Sequence, residues 1–136
     1  MYESNIIEEK INSIRSKFAL DANRDIKANF LSVGQKNKLV IAIALIADPK
    51  ILLLDEPFAA LDLMTIKALQ EIIVNLQSDN NISVILCDHQ ARDLLACVDT
   101  AAIIHNGKVV AHGTPSSLIQ NIDAKNVYFG DSFKIS

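Results

Sequence analysis

The run Ile51-Leu52-Leu53-Leu54-Asp55-Glu56-Pro57 constrains the fold more than any other stretch of the chain. A short, continuous apolar run of this kind reads as a strand covered on both faces, the pattern of a parallel sheet. Open α/β sheets bind ligands beyond the carboxyl ends of their strands, and this strand ends in two adjacent carboxylates. One carboxylate there can hold Mg²⁺, which takes oxygen ligands and keeps several waters. The next can orient or deprotonate an attacking water. The same residues also fit a strand that leaves the core through an ordinary acidic turn.

The flanking segments supply helices for such a sheet. Ile7, Ile11, Ile14 and Phe18 recur at helical spacing, with Asn5 and Glu8 as a candidate capping box. Leu20 to Asn29 shows no period. A second helix is expected from Ser32 to Ala47, apolar almost all round after Leu39 and therefore buried on most sides. Asp48-Pro49 ends it, because the residue before proline is pushed out of the helical region. Asp62 or Thr65 caps a third helix with Ile66, Leu69, Ile73 and Leu76 on its inward stripe. Ser78 to Asn81 reads as a loop and Ile82 to Cys87 as a second buried strand. A short helix over Gln90–Cys97 follows. Asn106-Gly107 then joins Thr100–Ile104 to Lys108–Ala111 as a hairpin, and Thr114-Pro115 opens a last helix through Ile119. Alternating strands and helices predict an α/β fold with a mainly parallel sheet, closed at one edge by the antiparallel hairpin.

With 136 residues, 50% of them hydrophobic, the chain suits one modest domain and not a disordered segment. A formal net charge of −3 gives no electrostatic footprint for nucleic acid or anionic lipid. No basic-then-apolar leader is visible, and Leu39 to Ala47 is far short of a membrane span, so a soluble, cytosolic chain is expected. Cys87 and Cys97 make neither a disulfide framework nor a metal cluster and read as inert core residues.

Two further stretches carry possible chemistry. Leu31-Ser32-Val33-Gly34-Gln35 fits a capping box through Ser32 and Gln35, and equally an anion site at a helix start, where Gly34 lets a phosphate approach the backbone. Cys87-Asp88-His89 sets His89 just after the second strand, able to hydrogen-bond a phosphate or simply to be solvated. His105 and His112, beside the hairpin, are expected to be solvated.

In fixed order, LSVGQ, ILLLDEP, Ala59-Ala60-Leu61-Asp62 and CDH resemble the ATP-binding cassette (ABC) family of ATPases. The resemblance covers nearly everything from Leu31 onward and implies a signature loop, a Walker B strand, a D-loop and a switch histidine. It implies an incomplete P-loop NTPase core, with residues 1–48 a remnant of the helical subdomain and 49–136 the core from Walker B to its C-terminal hairpin. Under it, Asp55 holds Mg²⁺, Glu56 and His89 are catalytic, and Ser32, Gly34, Gln35 and Asp62 contact ATP. It also implies a second ATPase subunit, transmembrane permease subunits, no nucleic acid, and a place at the inner face of the inner membrane. The tail Val127 to Phe133 is similar to the lipopolysaccharide-export branch, with the branched-chain amino acid branch as an alternative. A non-catalytic remnant, or a regulatory partner of a complete ATPase, is a further alternative. The chromosome-maintenance ATPases share similar motifs, but no heptad run leads into LSVGQ.

The chain departs from that family in one large way. Its four glycines, Gly34, Gly107, Gly113 and Gly130, cannot form GxxxxGK[ST], so the nest and lysine that hold the β- and γ-phosphates are not in these residues. Val33 stands where the signature loop has glycine, and Ile43 where many members have arginine. In the family, the strand entering the phosphate loop lies between those matching Ile82–Cys87 and Thr100–Ile104. Without it, unpaired ladder groups and exposed apolar faces are expected, and with them poor stability or closure by another polypeptide.

Overall fold

A computed structural model describes residues 2–130, apart from the side chains of Tyr2, Glu3, Ser4, Asp79 and Asn80. Asp131, Ser132 and Phe133 of the family-like tail lie outside the described residues. The chain divides into two units, Met1–Cys87 and Asp88–Ser136.

In the first unit, α1 (Tyr2–Lys17) begins before the expected cap, so Asn5 lies inside the helix. Only the lower part of its apolar stripe is covered: Phe18 is fully buried, while Ile7 and Ile11 are exposed. Two short 3₁₀ turns, Asp21–Asn23 and Ala28–Phe30, occupy the stretch without period. The Asp21 carboxylate accepts hydrogen bonds from Arg15 Nε and Ser16 Oγ, which hold its pKa below the ordinary value.

Helix α2 (Val33–Leu45) starts on the expected Ser32 cap. It ends two residues earlier than expected, with Asp48 at φ +50° ahead of Pro49, the helical region being disfavoured there. Lys10 of α1 pairs with Asp48 and ties the two helices. The expectation that α2 is buried on most sides is not met. Gly34, Ile41, Ala42 and Leu45 form one buried stripe, whereas Val40 and Ile43 are exposed.

Strands β1 (Ile51–Asp55) and β2 (Ser83–Cys87) pair in parallel, Ile51 opposite Ser83 through Asp55 opposite Cys87. They are connected through α3 (Leu63–Asn80), which packs on β2. The predicted stripe Ile66, Leu69, Ile73 and Leu76 is buried throughout. Helix α3 runs on through Ser78–Asn80, where a loop was expected, and stops at Asn81 in the left-handed region, φ +52°. Both strands were expected to be buried. Leu52 is, but Ile51, Leu53 and Ile85 are 60%, 71% and 52% exposed. Cys87 is exposed as well, not a core residue.

The second unit has its own core. Helix α4 (Ala91–Leu95) is followed by the antiparallel strands β3 (Ala101–His105) and β4 (Lys108–Gly113). Asn106 and Gly107 take φ +48° and +73°, the pair of positive angles a two-residue I′ turn needs. Helix α5 (Pro115–Gln120) is capped by Thr114, and α6 (Ile122–Ala124) leads into a π-helical turn, Lys125–Phe129. Leu95, Ile103, Ala111, Leu118 and Ala124 pack together. Among the described residues the hairpin forms a two-stranded sheet of its own, where the sequence predicted the edge of a single sheet. No helix among the described residues is long and apolar enough to cross a membrane.

Candidate functional site

The predicted residues of the first unit fall at the start of α2, the end of β1 and the start of α3. At α2 the capping box is complete: the Ser32 N–H donates to Gln35 Oε1 at 2.9 Å and the Gln35 N–H donates to Ser32 Oγ at 3.2 Å. Gln35 therefore spends its carbonyl oxygen on the cap, a structural use. The Ser32 hydroxyl accepts in that bond and keeps its own proton to donate. The cap makes no use of the N–H groups of Val33 and Gly34, which belong to the first turn, where the helix dipole favours an anion.

Gly34 is buried, and the reason lies in α3. A Cβ at Gly34 would stand 2.5 Å from Thr65 Cγ2, so the glycine makes room for the threonine methyl. Thr65 is itself fixed by the Asp62 cap: its hydroxyl donates to Asp62 Oδ2 at 2.6 Å, and the N–H groups of Met64 and Thr65 donate to Asp62 Oδ1 at 3.0 and 3.1 Å. These bonds hold the Asp62 pKa below its ordinary value, the Thr65 hydroxyl contributing most. Ser32, Gly34, Gln35 and Asp62 are thus brought to one corner, with Thr65 between Gly34 and Asp62. Thr65 read from the sequence only as an alternative cap. Asn37 was missed altogether. Its Nδ2 donates to the Pro57 carbonyl at 3.0 Å and ties α2 to the turn after β1. The signal available was a polar residue three positions after Gly34 on the same helix face.

Asp55 ends β1 and Glu56 opens the turn beyond it, both exposed. The Glu56 N–H donates to the Cys87 carbonyl at 2.7 Å and extends the parallel ladder by one bond. Glu56 and Ala60 take φ +48° and +57°, conformations that non-glycine residues adopt at a cost and that collect at functional turns. An exposed single carboxylate at a strand end, Asp55, fits Mg²⁺ of the kind held by one protein oxygen, phosphate and water. Among the described residues there is no cluster of three metal-ligating side chains. A cavity of about 300 Å³ between α1, the 3₁₀ turns and α2 is lined by Ile11, Ile14, Leu20, Ala42 and Ile46. None of the predicted site residues lines it.

His89 belongs to the second unit. Its side chain is 68% exposed, its Nδ1 lies 3.9 Å from Asp88 Oδ1, and its carbonyl accepts from the Tyr128 hydroxyl at 2.6 Å. Asp88 also accepts from the Gln90 N–H at 2.8 Å, closing the turn that presents His89. Burial, and then the Asp88 charge, raise the Tyr128 pKa.

A parallel strand ending in two carboxylates lies in the same unit as a capped helix start that can receive an anion, and open α/β sheets bind ligands beyond such strand ends. Residues 2–59 match the ABC transporter family. The lipopolysaccharide export system ATP-binding protein LptB of Escherichia coli K12 is 37% identical over 128 residues, 94% of this chain and 53% of that protein. The LptB of Haemophilus influenzae is 35% identical over 127 residues, 93% and 52%. Among solved structures, cbiO1 from Clostridium perfringens, part of the ABC transporter complex cbiONQ, superposes with a TM-score of 0.81 at 25% identity, covering 90% of this chain and 49% of that one. An ATP-binding cassette of an ABC transporter in its ADP conformation gives 0.82 at 24% identity, 92% and 50%. By sequence and fold this chain is similar to part of an ABC ATPase domain. It spans about half the length of the curated relatives it matches.

Proposed function

We propose that this chain supplies the signature-loop and Walker B half of an ATP-hydrolysing subunit of an ABC transporter, and that the transporter exports lipopolysaccharide. The observation that carries the reading is the corner where Ser32, Gly34 and Asp62 converge. It offers a free hydroxyl proton and a helix start to a phosphate. The similarity to lipopolysaccharide export ATP-binding proteins over nearly the whole chain supports the substrate class. In this reading the chain works with a second ATPase subunit and permease subunits at the cytoplasmic face of the membrane. Mg²⁺, when bound, neutralises phosphate charge. Asp55, Glu56 and His89 would hold it, orient a water and contact the terminal phosphate at the chain's own site, whereas Ser32 with the start of α2 receives the terminal phosphate at the other site, whose loop the partner subunit supplies.

These residues contain no phosphate loop, so a dimer of these 136 residues with a complete subunit turns over only at the site that borrows the partner's loop. The test is a purified heterodimer with full-length E. coli LptB whose own signature loop is disabled, which silences LptB homodimers. Ser32→Arg should then lower ATP turnover by roughly a hundredfold or more, the scale of losing a principal transition-state contact. Glu56→Gln should leave it unchanged. The reverse pattern defeats the reading.

A further inference from the structure

Helix α4 begins without a side-chain cap. The turn before it, Asp88 to Gln90, is shaped by two short-range bonds. The Asp88 carboxylate, its side chain fully buried, accepts from the Gln90 N–H at 2.8 Å, an Asx-turn. The His89 carbonyl accepts from the Ala91 N–H at 3.1 Å across Gln90, whose φ −84° and ψ 77° are those of an inverse γ-turn. Bonds between such near neighbours shape a turn but do not fix its direction against the rest of the unit.

A third bond comes from 39 residues further along the chain: the Tyr128 hydroxyl donates to the same His89 carbonyl at 2.6 Å. Both partners belong to the second unit. Tyr128 is itself well held. It lies in the π-helical turn Lys125–Phe129, closed by the Gly130 N–H donating to the Lys125 carbonyl at 2.8 Å. Its ring meets that of Phe129 edge-on, with centroids 5.5 Å apart and planes at 83°. Phe129 packs in turn against the core of Leu95, Ile103, Ala111, Leu118 and Ala124. Burial, and then the Asp88 charge, favour the neutral phenol, which keeps the proton it donates. The tie therefore runs from the core of the unit to the backbone of a residue whose own side chain is 68% exposed. Packing does little to orient an imidazole so exposed, so its direction follows from the backbone that carries it.

We propose that Tyr128 is a positioning residue: its hydroxyl fixes the His89 backbone and thereby the direction in which the imidazole leaves the turn. The use of that direction, contact with a terminal phosphate, rests on the proposed function, whereas the clamp rests on the geometry alone.

The test is NMR on the whole chain, with His89 read against His105 and His112 of the hairpin in the same unit. Tyr128→Phe removes one oxygen and keeps the ring that meets Phe129. It should shift the His89 imidazole signals and leave those of His105 and His112 in place. Hydrogen exchange at the Gln90 and Ala91 amides should speed up by roughly threefold to tenfold, the scale of one intramolecular hydrogen bond. Tyr128→para-aminophenylalanine returns an N–H donor to the same ring and should restore both readouts, which a role in packing alone does not predict. Unchanged His89 signals and turn amides in Tyr128→Phe overturn the proposal. Equal changes at all three histidines also overturn it, because the hydroxyl then supports the whole unit and not one turn. Failure of the amine to restore the native signals overturns it too. Clamping by Tyr128 without the Ser32→Arg effect on turnover keeps this inference and defeats the proposed function. The Ser32→Arg effect with His89 indifferent to Tyr128 does the opposite.

Discussion

At the start of α2 and α3, Ser32, Gln35, Asp62 and Thr65 satisfy one another's polar groups within bonds of 2.6 to 3.2 Å. In the same unit, Leu53 and Ile85 face each other across a ladder with most of their side chains uncovered. The corner is finished by residues three apart in sequence, with one methyl crossing between helices. The strand pair needs apolar cover from elements far away in sequence, and these residues do not contain enough of it. Polar satisfaction can be local, whereas apolar burial needs the whole layer.

The contrast can be broken most sharply within β1. Leu52→Ala removes a side chain that is 6% exposed and should cost roughly 2–5 kcal/mol, read as a drop in the urea midpoint. An equal loss at Leu53 would show that the open face is covered after all.

Next is the glycine that joins the two helix starts. Gly34→Ala should cost about 1–3 kcal/mol, since the new Cβ meets a threonine that its cap holds in place. Thr65→Ser keeps the hydroxyl and removes the methyl, so the double variant should recover much of that loss in a double-mutant cycle. Additive effects would mean that the two helix starts are not coupled.

The cap itself titrates. The folded pKa of Asp62 lies below the ordinary carboxylate value of 3.8, so its contribution is present above that value and is lost as pH falls through the lower, folded one. The urea midpoint of the native chain should exceed that of Asp62→Asn at neutral pH, and the gap should close only below 3.8. Asp21, also depressed, is common to both proteins and cancels. A gap that does not vary with pH would show that the neutral amide caps as well as the carboxylate.

The smallest effect belongs to the open face. Leu53→Ala should change stability by less than about 0.5 kcal/mol, the range of surface substitutions, despite its place in the most apolar run of the chain.

Much of the site was legible because it is built from local rules. The Ser32–Gln35 box and the Asp62 cap follow from residue type and spacing, and the two carboxylates after the strand follow from where apolar character stops. Gly34 was legible as a glycine but not for its reason. Its missing side chain accommodates Thr65, a contact between residues distant in sequence. Asn37 escaped because nothing in the polar run Gln35–Lys38 sets it apart, and its partner, the Pro57 carbonyl, is distant in sequence.

By itself the sequence determined the element types, the turn at Asn106-Gly107, the stripe of α3 and the order of motifs that resembles the ABC family. Periodicity, capping and turn chemistry act within a few residues, so the sequence states them directly. Tertiary structure alone decided which apolar residues are covered. Ile7, Ile43, Leu53 and Ile85 carry the same burial signal as Phe18, Ile41, Leu52 and Leu69 yet remain exposed, because burial depends on whether a second layer is present to pack against them.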